Sequence, residues 1–454
     1  MNDRYPPGPR DHFWGITFYG PMQADPLTFA RRVAAEHGDF ASMRCGWVRL
    51  YFVNRPSLIR EILTTKVKVF KKMGRQMRAL RKIEGNGLVV SDGAAWARHR
   101  PVVQGSFHAR NMEYYARVFL EFARRRVSRW ATGQALDMVE EMNELMMETI
   151  AKQVFDVDLA EDTARLREAV SVFRGIMQRE ITAPFVLPDW LPLPHKIRQR
   201  RAIRAVDDLI WRLIRERRES GVVKHDMLGQ MFAAAAAQNV QPPITDAEIR
   251  DEAMTLFVAG HDTTSAALAW FWYLLSQHPE IERRAMAEVD ALGNVDVTFE
   301  HLPRLKYVEM VVKESMRLYP ATPFLYGRET TQDVELGGYT LPRGAWVLIS
   351  PYIVQHDPRF HPEPETFDPE RFSPQRIDDI PAYSYIPFGG GPRVCIGNAM
   401  ATMEATLLAA IVLQRMRVKL DQAPPAYELE ITLRPKGGLR MLPSAREKAA
   451  KLAG

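Results

Sequence analysis

"PFGGGPRVCIGNAM", from Pro387 to Met400, sets one of only two cysteines in a 454-residue chain inside a loop cleared of bulk. Gly389, Gly390, Gly391 and Pro392 come before it, Arg393 stands two residues ahead of Cys395, and Gly397 two behind. Glycine reaches dihedrals closed to other residues, so such a loop can turn sharply and lay its backbone against a flat ligand. Its N–H groups can donate to sulfur and tune the electron density there. Beyond Gly397, "NAMATMEATLLAAIVLQRM" reads as a helix, which puts the thiol near a helix N-terminus, where the dipole favours negative charge.

A thiolate is a nucleophile or a metal ligand according to its surroundings. Nucleophilic hydrolysis requires a histidine base, and none of the 11 histidines stands in a recognisable protease signature. Zinc requires more sulfur or closely spaced histidines, and the chain has no C-x-x-C. Haem iron needs only one protein thiolate, because the porphyrin supplies the equatorial ligands. The bland alternative is a glycine-rich turn around a buried structural cysteine. Cys45, in a β-like stretch, reads as such a small packed side chain.

The rest of the chain has an ordinary globular balance, 46% hydrophobic and 26% charged. No repeat or long linker divides it, and helical signals dominate from Pro56 to about Pro279. We expect one large, mainly α domain with a small β region, its β portions lying roughly at 38–55, 334–350 and 427–442. Two cysteines cannot make a disulfide framework, so a reducing, cytoplasmic setting is expected. "MNDRYPPGPRDHFWGITFYG" lacks the basic-then-apolar order of a signal peptide or a transmembrane anchor. Phe13, Trp14, Ile16, Phe18 and Tyr19 are expected to pack onto the domain. A net charge of +6 admits an anionic partner. No zinc-finger spacing or interleaved aromatic and basic repeat supports nucleic acid. The cluster "ARRRVSRW" (Ala123–Trp130) reads as a solvated face, with docking of an acidic protein as the alternative.

"FGGGPRVCIG" (Phe388–Gly397) fits F-x-x-G-x-R-x-C-x-G at every fixed position, and with it the chain resembles the cytochrome P450 family over nearly its whole length. The resemblance implies the cytochrome P450 fold as a single domain over 1–454. It implies haem b, held by Cys395 as the axial metal ligand in the loop 387–397, with Phe388, Gly397 and Ala259 against the ring. "KESMR" carries Glu314 and Arg317 at i, i+3, one helical face, and "FDPERF" brings Arg371. In the family these three form a buried charge network with a folding role.

The run "TDAEIRDEAMTLFVAGHDTTSAALAWFWYLLSQHP" opens on a capping box, Thr245 with Glu248, and is bounded by Pro279. Gly260 costs about 1 kcal/mol against alanine inside a helix, and threonine hydroxyls that bond back to carbonyls bend one. A kink facing another helix is the plain account. Ala259–Thr264, "AGHDTT", also matches the family's A/G-G-x-D/E-T-T oxygen-activation groove. The resemblance implies that Asp262 relays protons inward and that Thr263 offers its hydroxyl at the dioxygen site. It assigns Trp96 and Arg100 of "WARHR", Arg393, and Arg328 of "YGRET" to the haem carboxylates. His356 in "QHDPRF" reads as structural.

The family's substrate-contacting segments correspond here to "GLVVSD" with Val89 and Val90, "ITAPFVLPDWLPLP", and the helix positions Thr255, Leu256, Val258 and Ala259. Further along come Phe324 in "ATPFLY" and Ile431 with Leu433. They are apolar almost throughout, which suits a lipophilic molecule held by shape. Arg49 or Tyr51 is the candidate anchor for a carboxylate. The expected activity is monooxygenation with O2, hydroxylating a fatty acid, terpenoid or similar lipid. With no flavin or iron–sulfur module in the chain, the two electrons are expected from a separate ferredoxin or flavodoxin with its reductase. A peroxide-driven hydroxylase of the same fold and a non-enzymatic haem sensor are the alternatives, and the acid–alcohol pair argues against both.

Overall fold

In the computed structural model, thirty-two consecutive residues, Asp246–Gln277, form the helix about which the rest is arranged. The structure describes residues 4–10, 15–157, 188–222, 224–237 and 242–446, with isolated positions between 169 and 180. Phe13, Trp14 and 181–187 of "ITAPFVLP" lie outside the described residues. Labels below number, along the chain, the elements that position the site. They are β1 (Phe40–Cys45), β2 (Val48–Val53), β3 (Phe70–Lys72), α1 (Gly74–Glu84), α2 (Gly93–Ser106), α3 (Ala109–Val127), α4 (Met138–Phe155) and α5 (Asp246–Gln277). There follow α6 (Lys306–Leu318), β4 (Arg328–Thr330), β5 (Trp346–Leu348), α7 (Asn398–Arg415), β6 (Tyr427–Leu429) and β7 (Leu433–Pro435).

Helix α5 starts where its capping box dictates. Glu248 N–H donates to Thr245 Oγ1 at 3.2 Å, and Thr245 N–H donates to Glu248 Oε2 at 2.9 Å. Phe257, Trp270 and Trp272 bury on different sides of it, so the helix is wrapped by others rather than laid on a surface. Against α4 the approach is close: a Cβ at Gly260 would lie 2.7 Å from Ile150 Cδ1. The glycine in "AGHDTT" therefore serves a helix crossing. His261 and Ser265 follow it on that side, bonded to Asn143 O (3.1 Å) and Asn143 Oδ1 (2.7 Å).

The main sheet runs β1-β2-β5-β4-β3, antiparallel throughout except for the parallel pair β2 and β5. Its last register sets Lys72 opposite Arg328. Strands at 70–72, 328–330 and 416–420 add to the β portions expected from sequence, since segments this short show little alternation. The β6–β7 hairpin docks on α5, where Trp270 Nε1 donates to Leu433 O at 2.9 Å.

On the far side of α6 the expected charge network is assembled. Arg317 donates to both oxygens of Glu314, at 2.7 and 2.8 Å, and Arg371 Nε adds a 3.3 Å contact. The remaining donors of Arg317 reach the carbonyls of Gln355 (2.8 Å), Pro364 (2.7 Å) and Thr366 (3.1 Å), so the ions clamp three segments while fully buried. Phe18 packs against Phe29, 6.0 Å between centroids. Among the described residues no helix is long and apolar enough to cross a membrane. The described elements form one mainly helical domain.

Candidate active site

The Cys395 loop is held in shape by its own backbone. Cys395 N–H donates to Phe388 O at 3.0 Å and Val394 N–H to Gly391 O at 3.1 Å. Gly391 adopts φ +67°, and a Cβ there would fall 2.0 Å from Leu63 O, so no other residue fits. Gly397 is different. Its φ is −91°, and the nearest chain atom to a Cβ would be Phe107 Cε1 at 3.8 Å. Nothing in the polypeptide demands glycine at 397, and the free space suits a flat ring.

Two properties of Cys395 look contradictory. The residue is exposed, yet burial pushes its thiol up from the ordinary range, against the Gly397 N–H and the Arg100 charge, which pull it down. A sulfur lining an internal crevice satisfies both, being open to a hollow and remote from bulk water. Helix α5 supplies the opposite evidence. Ala259 is exposed although Phe257 and His261 beside it are buried, so α5 also turns a face to a hollow. Among the described residues no cluster of three or more His, Cys, Asp or Glu could hold a metal directly, which leaves a lone-thiolate site.

One edge of the site is crowded with cations. Arg393 lies 4.2 Å over the Trp96 ring and donates to Ser91 O (2.8 Å) and Asp92 Oδ1 (2.6 Å). Arg100 Nη1 donates to Val394 O at 3.1 Å. Arg328 is buried on β4 and bonds the Tyr326 carbonyl, while burial and then Arg393 press its pKa down to about 10. Lys72, which sequence reasoning missed, faces the same cluster. Its Nζ donates to the carbonyls of Leu88 (3.2 Å), Val89 and Ser91 (3.4 Å), and burial followed by Arg393 takes it down to about 7.

Among the described residues Arg100, Arg328 and Lys72 make no ion pair, and only Arg393 has a carboxylate, Asp92. Buried cations without counter-ions are costly. The two carboxylates of a haem would neutralise them, and the residues present fit that group.

The acid and the alcohol take different partners. Thr263 Oγ1 bonds back to Ala259 O at 2.8 Å. Asp262 is 9% exposed and reaches the C-terminal hairpin region. Its Oδ2 accepts from Thr432 Oγ1 at 2.9 Å, its Oδ1 from Arg434 Nη2, and Arg434 Nε also donates to Thr432 Oγ1 at 3.0 Å. Sequence reasoning missed Thr432 and Arg434. The signal was the alternation in "ITLRP", where both stand on one face and Ile431 and Leu433 on the other.

Several expected pocket residues do not line the crevice. Leu433, 0% exposed, packs beneath α5 with its N–H on Ala321 O, and Val90 is buried at 2%, so both belong to the core. Leu256 is also buried, whereas Val89, Ala259, Phe324 and Ile431 keep accessible surface. Neither proposed carboxylate anchor is free. Arg49 stacks on Tyr5 (3.7 Å) and donates to Ser42 Oγ, and Tyr51 is fully buried in the sheet. His356 is structural, its Nδ1 2.7 Å from Tyr352 O.

Comparison with known proteins agrees with this geometry. The family model "Cytochrome P450" matches residues 6–441. The chain is 34% identical to "Cyclooctatin synthase" of Streptomyces melanosporofaciens, over 94% of this chain and 92% of that one. It is 35% identical to "Cyclooctat-9-en-7-ol 5-monooxygenase" of the same organism, over 87% and 85% of the two chains. Identity to "Pentalenene oxygenase" of Streptomyces avermitilis is 31%, over 88% of each. The crystal structure of the cytochrome P450DA heme domain superposes with a TM-score of 0.87 at 26% identity, covering 97% of this chain and 98% of that one. The chain belongs to the cytochrome P450 family and is a haem-thiolate monooxygenase.

Proposed function

We propose that this monooxygenase hydroxylates a terpenoid, with haem b as its cofactor. The observation that supports the reading is that Cys395 and Ala259 are both exposed among buried neighbours, while Arg100, Arg328 and Lys72 lack counter-ions among the described residues. The apolar surface of Val89, Phe324 and Ile431 suits a hydrocarbon skeleton, and three relatives are named for cyclooctatin, an oxygenated cyclooctatene and pentalenene.

When bound, haem supplies the activation of dioxygen, by which one oxygen atom enters a C–H bond and the other leaves as water. The polypeptide supplies the rest. Cys395 Sγ would hold the group, and Trp96, Arg100, Arg328 and Arg393 would bind its carboxylates, with Lys72 beside them. From α5 the Thr263 hydroxyl, which the Ala259 carbonyl restrains, would offer a proton toward the crevice. Asp262, paired with Arg434 and Thr432, is the acid that would pass a proton toward Thr263.

The electron donor fits a separate acidic ferredoxin or flavodoxin, given the net charge of +6. A cytoplasmic setting belongs to the same proposal, supported by two free cysteines and no cystine framework among the described residues.

Titration of the ferric holoprotein with sesquiterpenes, diterpenes and long-chain fatty acids tests the substrate class. Terpenoids should displace water and move the Soret band to its high-spin position at lower concentrations than fatty acids. A stronger response to fatty acids, or none to any terpenoid, overturns the reading.

A further inference from the structure

Glu84 is a buried acid for which nothing above has a use. It is the last residue of α1 and 2% exposed. Its position is poor for stability on two counts: burial penalises a carboxylate, and a helix C-terminus repels one. An apolar residue would cost less. Its Oε2 accepts from Thr255 Oγ1 at 3.3 Å, while among the described residues Oε1 has no hydrogen-bond partner and, unlike the unpaired polar atoms sealed in the core, keeps some accessible surface. Lys72, whose charge also acts on it, spends its Nζ on the carbonyls of Leu88, Val89 and Ser91.

The pair is rigidly mounted. The loop after Glu84 is fastened to α5 by Asn86 N–H on Asp251 Oδ2 (2.7 Å) and Leu88 N–H on Glu252 Oε2 (3.0 Å). Gly87 lies so close that a Cβ there would be 2.1 Å from Thr255 Oγ1. That backbone crowds the Thr255 hydroxyl where it meets Glu84. Thr255 precedes the crevice-facing Ala259 by one helical turn and Thr263 by two, roughly 6 and 12 Å along the axis at 1.5 Å per residue. The Tyr326 phenol also carries no hydrogen bond among the described residues. Burial holds its proton, and the adjoining Gly327 N–H on Gln76 Oε1 (2.8 Å) ties its segment to α1, the helix that ends in Glu84.

We propose that Glu84 and Thr255, with the Tyr326 phenol, form a recognition site for a substrate hydroxyl, so that the natural substrate is a lipophile already carrying an oxygen. The inference rests on the terpenoid reading above and sharpens it. Burial pushes the Glu84 carboxyl up to about 8, so near neutrality it is uncharged and both donates and accepts. An alcohol, itself both donor and acceptor, matches that pair of roles. Thr255 and Thr263 stand about 12 Å apart along α5, so the bound oxygen lies away from the Thr263 end of the crevice. A reaction that forms a C–O bond on the hydrocarbon skeleton must therefore precede this one.

The test is equilibrium binding, read from the Soret shift of ferric holoprotein, with matched alcohols and hydrocarbons: cedrol with cedrene, farnesol with farnesene, abietol with abietadiene. Wild type should bind the alcohol of at least one pair roughly tenfold more tightly, the worth of one buried hydrogen bond. Glu84→Leu and Thr255→Val should each erase that preference by weakening the alcohol alone, and Glu84→Gln should keep part of it. If Glu84→Leu fails to load haem, Thr255→Val and Glu84→Gln decide. Equal binding of alcohol and hydrocarbon in wild type, or a preference surviving Thr255→Val and Glu84→Leu, overturns the inference and leaves the terpenoid reading standing. Silence from every member of every pair sinks the terpenoid reading, and this inference with it.

Discussion

Removing one partner of the Asp262–Arg434 pair leaves a buried charge alone, which costs more than the pair is worth. Arg434→Met should lower the unfolding free energy of the holoprotein by about 3–5 kcal/mol, and Thr432→Val by about 1.5–3 kcal/mol, both measured by denaturant titration. Thr263→Ala should behave otherwise. Among the described residues its hydroxyl bonds only its own helix, so loading and stability should stay near wild type while product formed per electron consumed falls. Product and electron counts from one turnover mixture check this. The residues proposed to carry the chemistry could be named from sequence because motif spacing marks them. Arg434 was not, since it lies 172 residues from the acid it serves and no local pattern joins them. Lys72 escaped for a similar reason: its meaning comes from a sheet register opposite Arg328.

At the scale of elements, α5 shows what periodicity gives and withholds. Its capping box and length could be read directly. The cause of Gly260 could not, because it depends on Ile150 of another helix. Gly260→Ala should cost about 1–3 kcal/mol through overpacking, read as a lower melting temperature with the haem spectrum retained. The same cap governs acid stability. Burial alone would raise the Glu248 carboxyl, but the Thr245 N–H, Arg98 and His99 outweigh it and hold it at about 2, below its usual 4.5. With the folded value depressed, its contribution is complete above about pH 4.5 and is lost as pH falls toward 2. Glu248→Gln should flatten that limb of a stability–pH curve. The three-residue strands stayed hidden because alternation needs more positions than they have.

For the whole molecule, the fold class followed from one loop, one capped helix and one ion network in the right order, each a local signature that survives without tertiary knowledge. The crevice did not follow, since enclosure is a property of many segments at once. That is why Leu433 and Val90, apolar and in the right segments, proved to be core. The surplus of positive charge predicts that reduction by an acidic ferredoxin slows as salt is raised, and a salt-independent stopped-flow rate would contradict it. The central claim is that the Cys395 thiolate holds a haem within this crevice. Its most direct test is the carbon monoxide difference spectrum of the reduced protein, wild type beside Cys395→Ser. The account predicts the long-wavelength Soret band of thiolate ligation in wild type and its loss in the variant. The same band in both proteins, or its absence from haem-loaded wild type, would contradict it.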